Sequence, residues 1–377
     1  MNILIAPDSF KGSLSSKDIC RIGKKALEDA LDNPQIDVLP IADGGEGTVD
    51  ALVINTKGKY VNLGVKGPYE EKVNGKYGIL GDGKTAVIEM SNASGLAIAD
   101  NYNLNPLKAS SYGTGEMIMD AVKKGCRKFI IGIGGSATND CGIGMLQALG
   151  FEFYDKDGNS LNGCGENLGK IKKIEDKNVP DDVLKSKYLI ACDVDNPLTG
   201  PRGATMVYGP QKGADENALH TLENGMIQFG DLIEDYFNKK IVEVPGAGAA
   251  GGMGAALYGF LGAELKSGFE IIKGVINLDQ LIEEKNYDII FTGEGQMDHQ
   301  TLMGKLVLGI SSLGAKYDIP VIAVCGSLNK GWEGMLDKGL TAACSIVNKP
   351  MTLGEALVDA EDLLFESYYN IGKTLKI

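Results

Sequence analysis

The chain has 377 residues, 44% of them hydrophobic, with 52 glycines and a formal net charge of −13. That length exceeds what one hydrophobic core usually organises and points to two domains of glycine-rich α/β type. The acidic balance argues against nucleic acid or an anionic membrane as partner, since both need a cationic face, but it leaves room for a phosphorylated ligand, which needs only local donors and a metal ion.

Asn2 to Ala6 is a short apolar run that reads as a buried parallel strand. It starts without the charged leader of a signal peptide, and no apolar run in the chain is long enough to span a bilayer. The loop PDSFKGSLSS follows, and Ser15 or Ser16 can cap a helix from Lys17 to Leu31. Asp8, Ser9, Lys11 and Ser13 then lie at the carboxyl end of a strand, where open α/β sheets place ligands. Lys11 is a candidate clamp for a carboxylate or phosphate, although an ordinary surface loop would read the same way. Asp37 to Ile41 repeats the pattern, with ADGGEGT and a helix from Thr48 behind it. Asp43 and Glu46 flank Gly44-Gly45; such carboxylates suit Mg²⁺ or a substrate hydroxyl, and equally the positive end of a helix.

Residues 78–85 spell a P-loop, G-x-x-x-x-G-K-T, letter for letter. That spelling matters only if a helix follows. Ala86 to Met90 instead alternate like a strand, Lys72 to Leu80 reads as another, and Asp82-Gly83 is a hairpin-turn signal, so two antiparallel strands are expected. Tyr112 to Glu116 opens a helix over Met117 to Lys124, with Gly113, Thr114 and Gly115 as a weak anion turn.

Phe129 to Gly150, FIIGIGGSATNDCGIGMLQALG, is the stretch around which the chain is organised. An apolar strand leads into Gly132, Gly134 and Gly135, then Ser136, Thr138, Asn139 and Asp140, then an apolar helical run from Met145. Strand, glycine turn and helix start together aim backbone N–H groups at an anion, with hydroxyls as further donors and Asp140 placed to hold a cation. A tight turn with a Ser or Asn cap is the alternative. Gly132, Gly134 and Ala137, with Glu152 roughly 20 residues on, also fit a dinucleotide fingerprint.

Leu189 to Cys192 reads as a strand ending in Asp193 and Asp195, which face one metal or hydroxyl or else form an Asx-type turn before Pro197. The loops LTGPRGA and GPQKG carry Arg202 and Lys212, and either cation is within reach of a phosphate. Ala218 to Phe237, with His220, is a long amphipathic helix. Ile241 to Val244 is strand-like, and Gly246, Gly248 and Gly251 after it match G-x-G-x-x-G; they contact a ligand or else pack a helix closely against a sheet. Asp288 to Phe291 is a strand ending at Glu294 and Asp298, a candidate metal or hydroxyl pair. A helix over Thr301 to Lys316, strands over Val321 to Cys325 and Ala342 to Val347, and a helix over Glu355 to Tyr369 complete the chain. The seven cysteines form no C-x-x-C pair and read as buried thiols of a cytoplasmic protein; with two histidines, a structural zinc site is not expected.

Alternating βαβ at both chain ends implies parallel strands, and the hairpin near Asp82 interrupts it. The expected architecture is therefore α/β with two α/β domains. One is discontinuous, residues 1–66 plus 286–377, with a flavodoxin- or Rossmann-like parallel sheet. The other, 67–285, is inserted, mixed α/β, and contains the hairpin. Five loops, DSFKGS, ADGGEGT, GGSATND, CDVDNP and GEGQMD, pair backbone-exposing residues with carboxylates, a mixture suited to phosphoryl transfer from a Mg²⁺-nucleotide.

The strings APDSFKGSLSS, PIADGGEGTVDAL, GILGDGKTAVIEM, GIGGSATND, ACDVDNPLTG, YGPQKGA, PGAGAAGGMGAAL, FTGEGQMDHQT and PVIAVCGS, in that order, resemble the bacterial type I glycerate kinases from Met1 to Lys376. One departure is Cys141, in NDCGIG, where another glycine is expected. The resemblance implies ATP-dependent phosphorylation of D-glycerate, at O2 in most bacterial members and O3 in some. It also implies one flavodoxin-like discontinuous domain and an active site between two domains. Within that frame the chemistry assigns Gly132, Gly134, Gly135, Ser136, Thr138, Asn139 and Asp140 to the nucleotide phosphates, and Glu294 and Asp298 to Mg²⁺. Lys11, with Arg202 as second choice, takes the glycerate carboxylate beside Ser9, Asp43 and Glu46. Asp193 or Asp8 accepts the hydroxyl proton. A monomer or homodimer is expected. Two rival readings are a NAD(P)-dependent dehydrogenase of a small hydroxy acid, drawing on the glycine fingerprints, and a non-enzymatic sugar-acid sensor.

Overall fold

The computed structural model describes residues 1–100, 102–303 and 306–376. Their strands, in chain order, are β1 (Asn2–Ile5), β2 (Gln35–Val38), β3 (Lys59–Lys66), β4 (Lys72–Ile79), β5 (Thr85–Glu89), β6 (Lys128–Gly132), β7 (Glu152–Tyr154), β8 (Lys173–Glu175), β9 (Lys187–Ala191), β10 (Glu264–Lys266), β11 (Ile289–Thr292), β12 (Gln296–Met297), β13 (Val321–Cys325), β14 (Ser327–Leu328) and β15 (Ala342–Ser345). The chain divides into two compact units: residues 1–43, 50–55 and 268–377, and residues 44–49 and 56–267.

In the first unit five strands lie in the order β15-β13-β11-β1-β2, every pair parallel. NILI, IIFT and VIAVC are apolar and almost wholly buried, as strands covered on both faces must be. Counted along the chain within the unit, this is the flavodoxin-like order 2-1-3-4-5, whose ligand crevice lies at the carboxyl ends of its first and third strands. Here those strands are β1 and β11. The helix Ser16–Ala30 starts at Ser15, whose Oγ accepts from the Asp18 N–H at 3.1 Å. It buries Ile19, Ile22, Ala26 and Leu27 and meets the C-terminal helix Ala360–Thr374, where a Cβ on Gly23 would come within 3.0 Å of the Tyr368 ring.

The second unit carries a six-stranded sheet in the order β10-β9-β6-β5-β4-β3. β10, β9, β6 and β5 are mutually parallel, and β4 runs antiparallel to both β5 and β3. The P-loop spelling is the β4–β5 hairpin expected from the strand pattern. Asp82 closes it by accepting from the N–H of Lys84 and Thr85 at 2.9 and 2.8 Å and from Thr85 Oγ1 at 2.7 Å, and Gly83 takes φ +67°. Phe153, Phe229 and Phe260 pack ring to ring in the core beside the sheet.

The chain passes between the two compact units at 43/44, 49/50, 55/56 and 267/268, beside the domain bounds of 66/67 and 285/286 read from the sequence. Several element assignments are corrected. β3 pairs along its whole length with β4 and so follows the hairpin. The helices Gly268–Val275 and Leu278–Lys285 join the first unit, tied through Asp279 to Lys316 at 2.7 Å. β2 ends at Val38, so residues 39–41 are loop. Ile241–Val244 is a turn, because Val242 O accepts from Leu198 N–H and no strand runs alongside. The helix expected over Thr301–Lys316 is a 3-10 turn, His299–Met303, and a helix Leu306–Tyr317; positions 304 and 305 lie outside the described residues. The closing helix is two, Leu353–Val358 and Ala360–Thr374, meeting at Asp359. Among the described residues no helix is long and apolar enough to cross a membrane.

Gly113, Thr114 and Gly115 form no anion turn. They are buried inside the first turn of the helix Tyr112–Lys123, where a Cβ on Gly113 would lie 1.9 Å from Lys66 O and one on Gly115 2.3 Å from Met145 O. Gly113→Ala will therefore destabilise the second unit by about 1–3 kcal/mol, the usual range for overpacking. Urea unfolding checks this, and a change below about 0.5 kcal/mol would mean that the contact does not carry the helix.

Candidate active site

The loops leaving β1 and β11 meet at the sheet's carboxyl edge. Asp8 N–H donates to Gly293 O at 2.9 Å, and Thr292 Oγ1 donates to Ala6 O at 3.0 Å. A Cβ on Gly295 would lie 3.3 Å from Phe10 Cα, so these backbones touch. Asp8 is 7% exposed and accepts from the Ser9 N–H at 2.7 Å. Burial first, then the charges of Asp43 and Glu294, push its carboxyl up to about 7, against the Ser9 hydrogen bond and Lys11. Lys11 is well exposed, with Nζ 4.0 Å from Asp43 Oδ2. Glu294 is nearly buried, and Thr301 Oγ1 donates to its Oε1 at 2.6 Å. Asp298 spends its carboxylate on its own turn: Oδ1 accepts from Gln300 N–H at 2.7 Å and Oδ2 from Gln296 Nε2 at 3.0 Å. The structure thus brings Asp8, Ser9, Lys11, Asp43 and Glu294 into one place and turns Asp298 to bracing it.

In the second unit the Gly132–Cys141 loop has two layers. Gly134 and Gly135 are exposed, Gly135 at φ +69°, with Ser136 at the margin, 6% exposed. Among the described residues no group accepts from the N–H of Gly134, Gly135 or Ser136. Three successive amides at the end of a strand are thus left without an internal acceptor, the kind of backbone from which anion sites are built. Beneath them Gly132, Thr138, Asn139 and Asp140 are buried and serve as frame. A Cβ on Gly132 would lie 2.7 Å from Gly44 O. Asn139 Nδ2 donates to Thr205 Oγ1 at 3.0 Å. Asp140 accepts from Ser111 N–H and Oγ at 2.8 and 2.7 Å and from the N–H of Gly142 and Gly144, so its carboxylate ties two helix starts together rather than facing a cation. Burial raises its carboxyl above the usual range, and those hydrogen bonds oppose the rise. Cys141, the departure from the family string, holds φ +47°, a left-handed conformation that glycine takes without strain.

The cation at this loop is Lys212, not Arg202. Arg202 is exposed and paired with Asp195 at 2.8 Å. Lys212 ends the 3-10 turn Pro210–Lys212, is 2% exposed, and donates to Ser136 Oγ at 2.9 Å and Thr138 O at 2.6 Å. Asp193 is exposed just past β9, and Glu46 is exposed in the turn before the helix Thr48–Thr56. That helix start is held by Glu89 at the end of β5, whose Oε1 accepts from Val49 N–H at 2.8 Å. Glu89 escaped sequence reasoning because it ends a strand with no glycine signal beside it. Gly246, Gly248 and Gly251 face protein: a Cβ on Gly248 would lie 2.1 Å from Pro197 O and one on Gly251 2.1 Å from Thr138 O. The second fingerprint is thus a close-packing device, which removes the main support for a dehydrogenase.

Comparison with known proteins fits this geometry. A family model described as Glycerate kinase family matches residues 3–376. The chain belongs to the glycerate kinase family. It is 43% identical to the glycerate 2-kinase of Escherichia coli K12 over 377 residues, covering 100% of this chain and 98% of that one. It is 41% identical to the glycerate kinase of Halalkalibacterium halodurans over 369 residues, 98% of this chain and 97% of that one. A crystal structure described as a glycerate kinase 2 from Salmonella typhimurium LT2 superposes with a TM-score of 0.89 at 40% identity, covering 100% of this chain and 98% of that chain. As a glycerate kinase family member the chain is a phosphotransferase, and the dehydrogenase and sensor readings fall away.

Within this kinase the buried lysine has a measurable signature. Burial pushes the Lys212 ammonium down from 10.5 to about 7, with Asp140 opposing the fall. Between those values the folded chain binds fewer protons than the unfolded one, so this group's contribution to stability rises with pH across the window and is flat below it. Urea unfolding of the parent and of Lys212→Met from about pH 6 to about pH 10 will show the parent gaining on the variant as pH rises. Parallel curves would show that Lys212 keeps an ordinary ammonium.

Proposed function

We propose that this kinase transfers the γ-phosphoryl group of ATP, as its Mg²⁺ complex, to a hydroxyl of D-glycerate, giving 2-phosphoglycerate in preference to 3-phosphoglycerate. The observation that carries the reading is the cluster at the ends of β1 and β11. There a buried carboxyl poised near 7 stands beside an exposed lysine and a second, nearly buried carboxylate. A hydroxyl acceptor needs a base whose pKa lies near working pH, and Asp8 meets that condition. Lys11 and Ser9 receive the glycerate carboxylate, with Asp43 and Glu46 at the substrate hydroxyls. Arg202, exposed and paired with Asp195 at 2.8 Å, remains the second choice for that carboxylate. Gly134, Gly135 and Ser136 offer their N–H groups and a hydroxyl to the nucleotide phosphates. Asp193, exposed beyond β9, is the second choice as base.

The donor set fits Mg²⁺ that arrives with the nucleotide. Among the described residues no three His, Cys, Asp or Glu side chains form a metal cage, and Mg²⁺ usually takes one or two carboxylates, phosphate oxygens and waters. Glu294 would hold it, with Asp298 acting through water or through the turn it braces. When bound, the ion neutralises charge on the transferring phosphoryl group. The family kinship supports the choice of glycerate, and the E. coli glycerate 2-kinase at 43% identity supports O2. All seven cysteines are free thiols, which supports a cytoplasmic setting. We take the active species to be a monomer or homodimer.

Three measurements test this reading. ADP release should depend on D-glycerate, Mg²⁺ and ATP together, and ³¹P NMR of the product should show the 2-phosphate; release without glycerate dependence would remove the substrate assignment. Asp8→Asn should lower kcat by about 100-fold or more, and Asp193→Asn by less than about tenfold; the reverse order would hand the base to Asp193. Because the Asp8 carboxyl is raised from 3.8 to about 7, its contribution to stability is lost as pH rises through that window. Asp8→Asn should therefore unfold at a higher temperature than the parent at about pH 8 while losing activity.

A further inference from the structure

Lys212 has no carboxylate within ion-pair distance among the described residues, yet it is 2% exposed and lies under the accessible end of the glycine loop. A buried ammonium without a counter-charge is costly, so its placement calls for a reason. The hydrogen-bond directions supply one. In its protonated form Lys212 has donors only, and its bond of 2.9 Å to Ser136 then uses a lone pair of the serine oxygen. The serine proton is then excluded from the lysine side and is left to point elsewhere. Ser136 sits at the accessible margin of the loop, beside the unclaimed N–H groups of Gly134 and Gly135. The second bond, 2.6 Å to Thr138 O, pins the far side of the same turn. One ammonium thus spans the loop from Ser136 to Thr138.

We infer that Lys212 is a positioning residue for nucleotide phosphate: by donating to Ser136 Oγ it makes the Ser136 hydroxyl an obligate donor to an anion seated on the Gly134–Gly135 amides. The inference rests on the proposed phosphate role of that loop. Lys212 does not touch the phosphate; it acts through Ser136 and adds a positive charge beneath the site. The charged group that bears on it is Asp140, whose carboxylate is already engaged by Ser111, Gly142 and Gly144. Arg202 is placed differently, exposed and paired with Asp195.

A double-mutant cycle tests this, with Mg-ATP binding read by titration calorimetry on the full chain and folding checked by circular dichroism. Ser136→Ala and Lys212→Met should each weaken Mg-ATP binding about tenfold, the scale of one hydrogen bond to a charged group. The double variant should be no weaker than about 20-fold, since the second change removes an interaction already lost. An additive loss of about 100-fold would overturn the inference while leaving the loop as the phosphate site. Unchanged binding in Ser136→Ala would overturn the phosphate role of Ser136 itself, and the inference with it. If methionine at 212 does not give folded protein, Lys212→Gln takes its place in the same cycle under the same criterion.

Discussion

The parallel pairing of β1 with β11 is the constraint on which the rest of the first unit depends. It joins residues almost 290 positions apart, with Asn2 N–H donating to Asp288 Oδ2 and Ile3, Leu4 and Ile5 in register with Ile289, Ile290 and Phe291. That pairing makes a strand near the N-terminus the neighbour of one that follows more than 200 intervening residues. It also creates the point where the chain turns outward in opposite directions along the sheet. The Asp8 and Glu294 loops emerge there together, and burial at that edge, with the charges of Asp43 and then Glu294 added, pushes the Asp8 carboxyl up to about 7. The perturbed acid is thus a consequence of strand order before it is a property of any local motif.

The second unit solves a different problem with the same materials. Its sheet runs β10-β9-β6-β5-β4-β3 in unbroken sequence, so no reversal of strand order opens a crevice. Its unclaimed backbone donors, at Gly134 to Ser136, come instead from one loop with a polar frame beneath it. Asp140 and Asn139 look outward in the sequence and inward in the fold, where they tie the 111 turn, the helix Ile143–Ala148 and Thr205 to the loop. Asp140 is fully engaged in this way, which resists movement of the loop because leaving its carboxylate unpaired would be costly, whereas Asn139 Oδ1 and Thr138 Oγ1 are buried with no partner among the described residues.

Each unit holds an ionisable group in an unfavourable place. The Asp8 carboxyl is pushed up and the Lys212 ammonium pushed down, each chiefly by burial. Among the described residues neither sits in an ion pair that would remove the penalty. Groups held in this way mark where a fold gives up stability for chemistry; Asp8 stands on the loop after β1, and Lys212 in a separate turn that reaches the glycine loop through Ser136 and Thr138.

Local chemistry was legible in the sequence. Ser15 as a cap, Asp82-Gly83 as a hairpin turn, the apolar strands and the glycine turn after Ile131 all follow from spacing and side-chain type, because each depends on neighbours a few residues away. The ordered strings of the glycerate kinase family were legible for the same reason. What only the tertiary structure decided was which of several similar residues faces what. Lys212 and Arg202 look alike in two glycine-proline loops, but one is folded under Ser136 and the other left in solvent with Asp195. The glycines at 113, 115, 248 and 251 have the spelling of ligand loops, and only the approach of Lys66, Met145, Pro197 and Thr138 from distant chain segments turns them into packing contacts. Strand register and burial are set by the whole chain at once, and so are the unit boundaries, which follow the partner that β3 finds in β4.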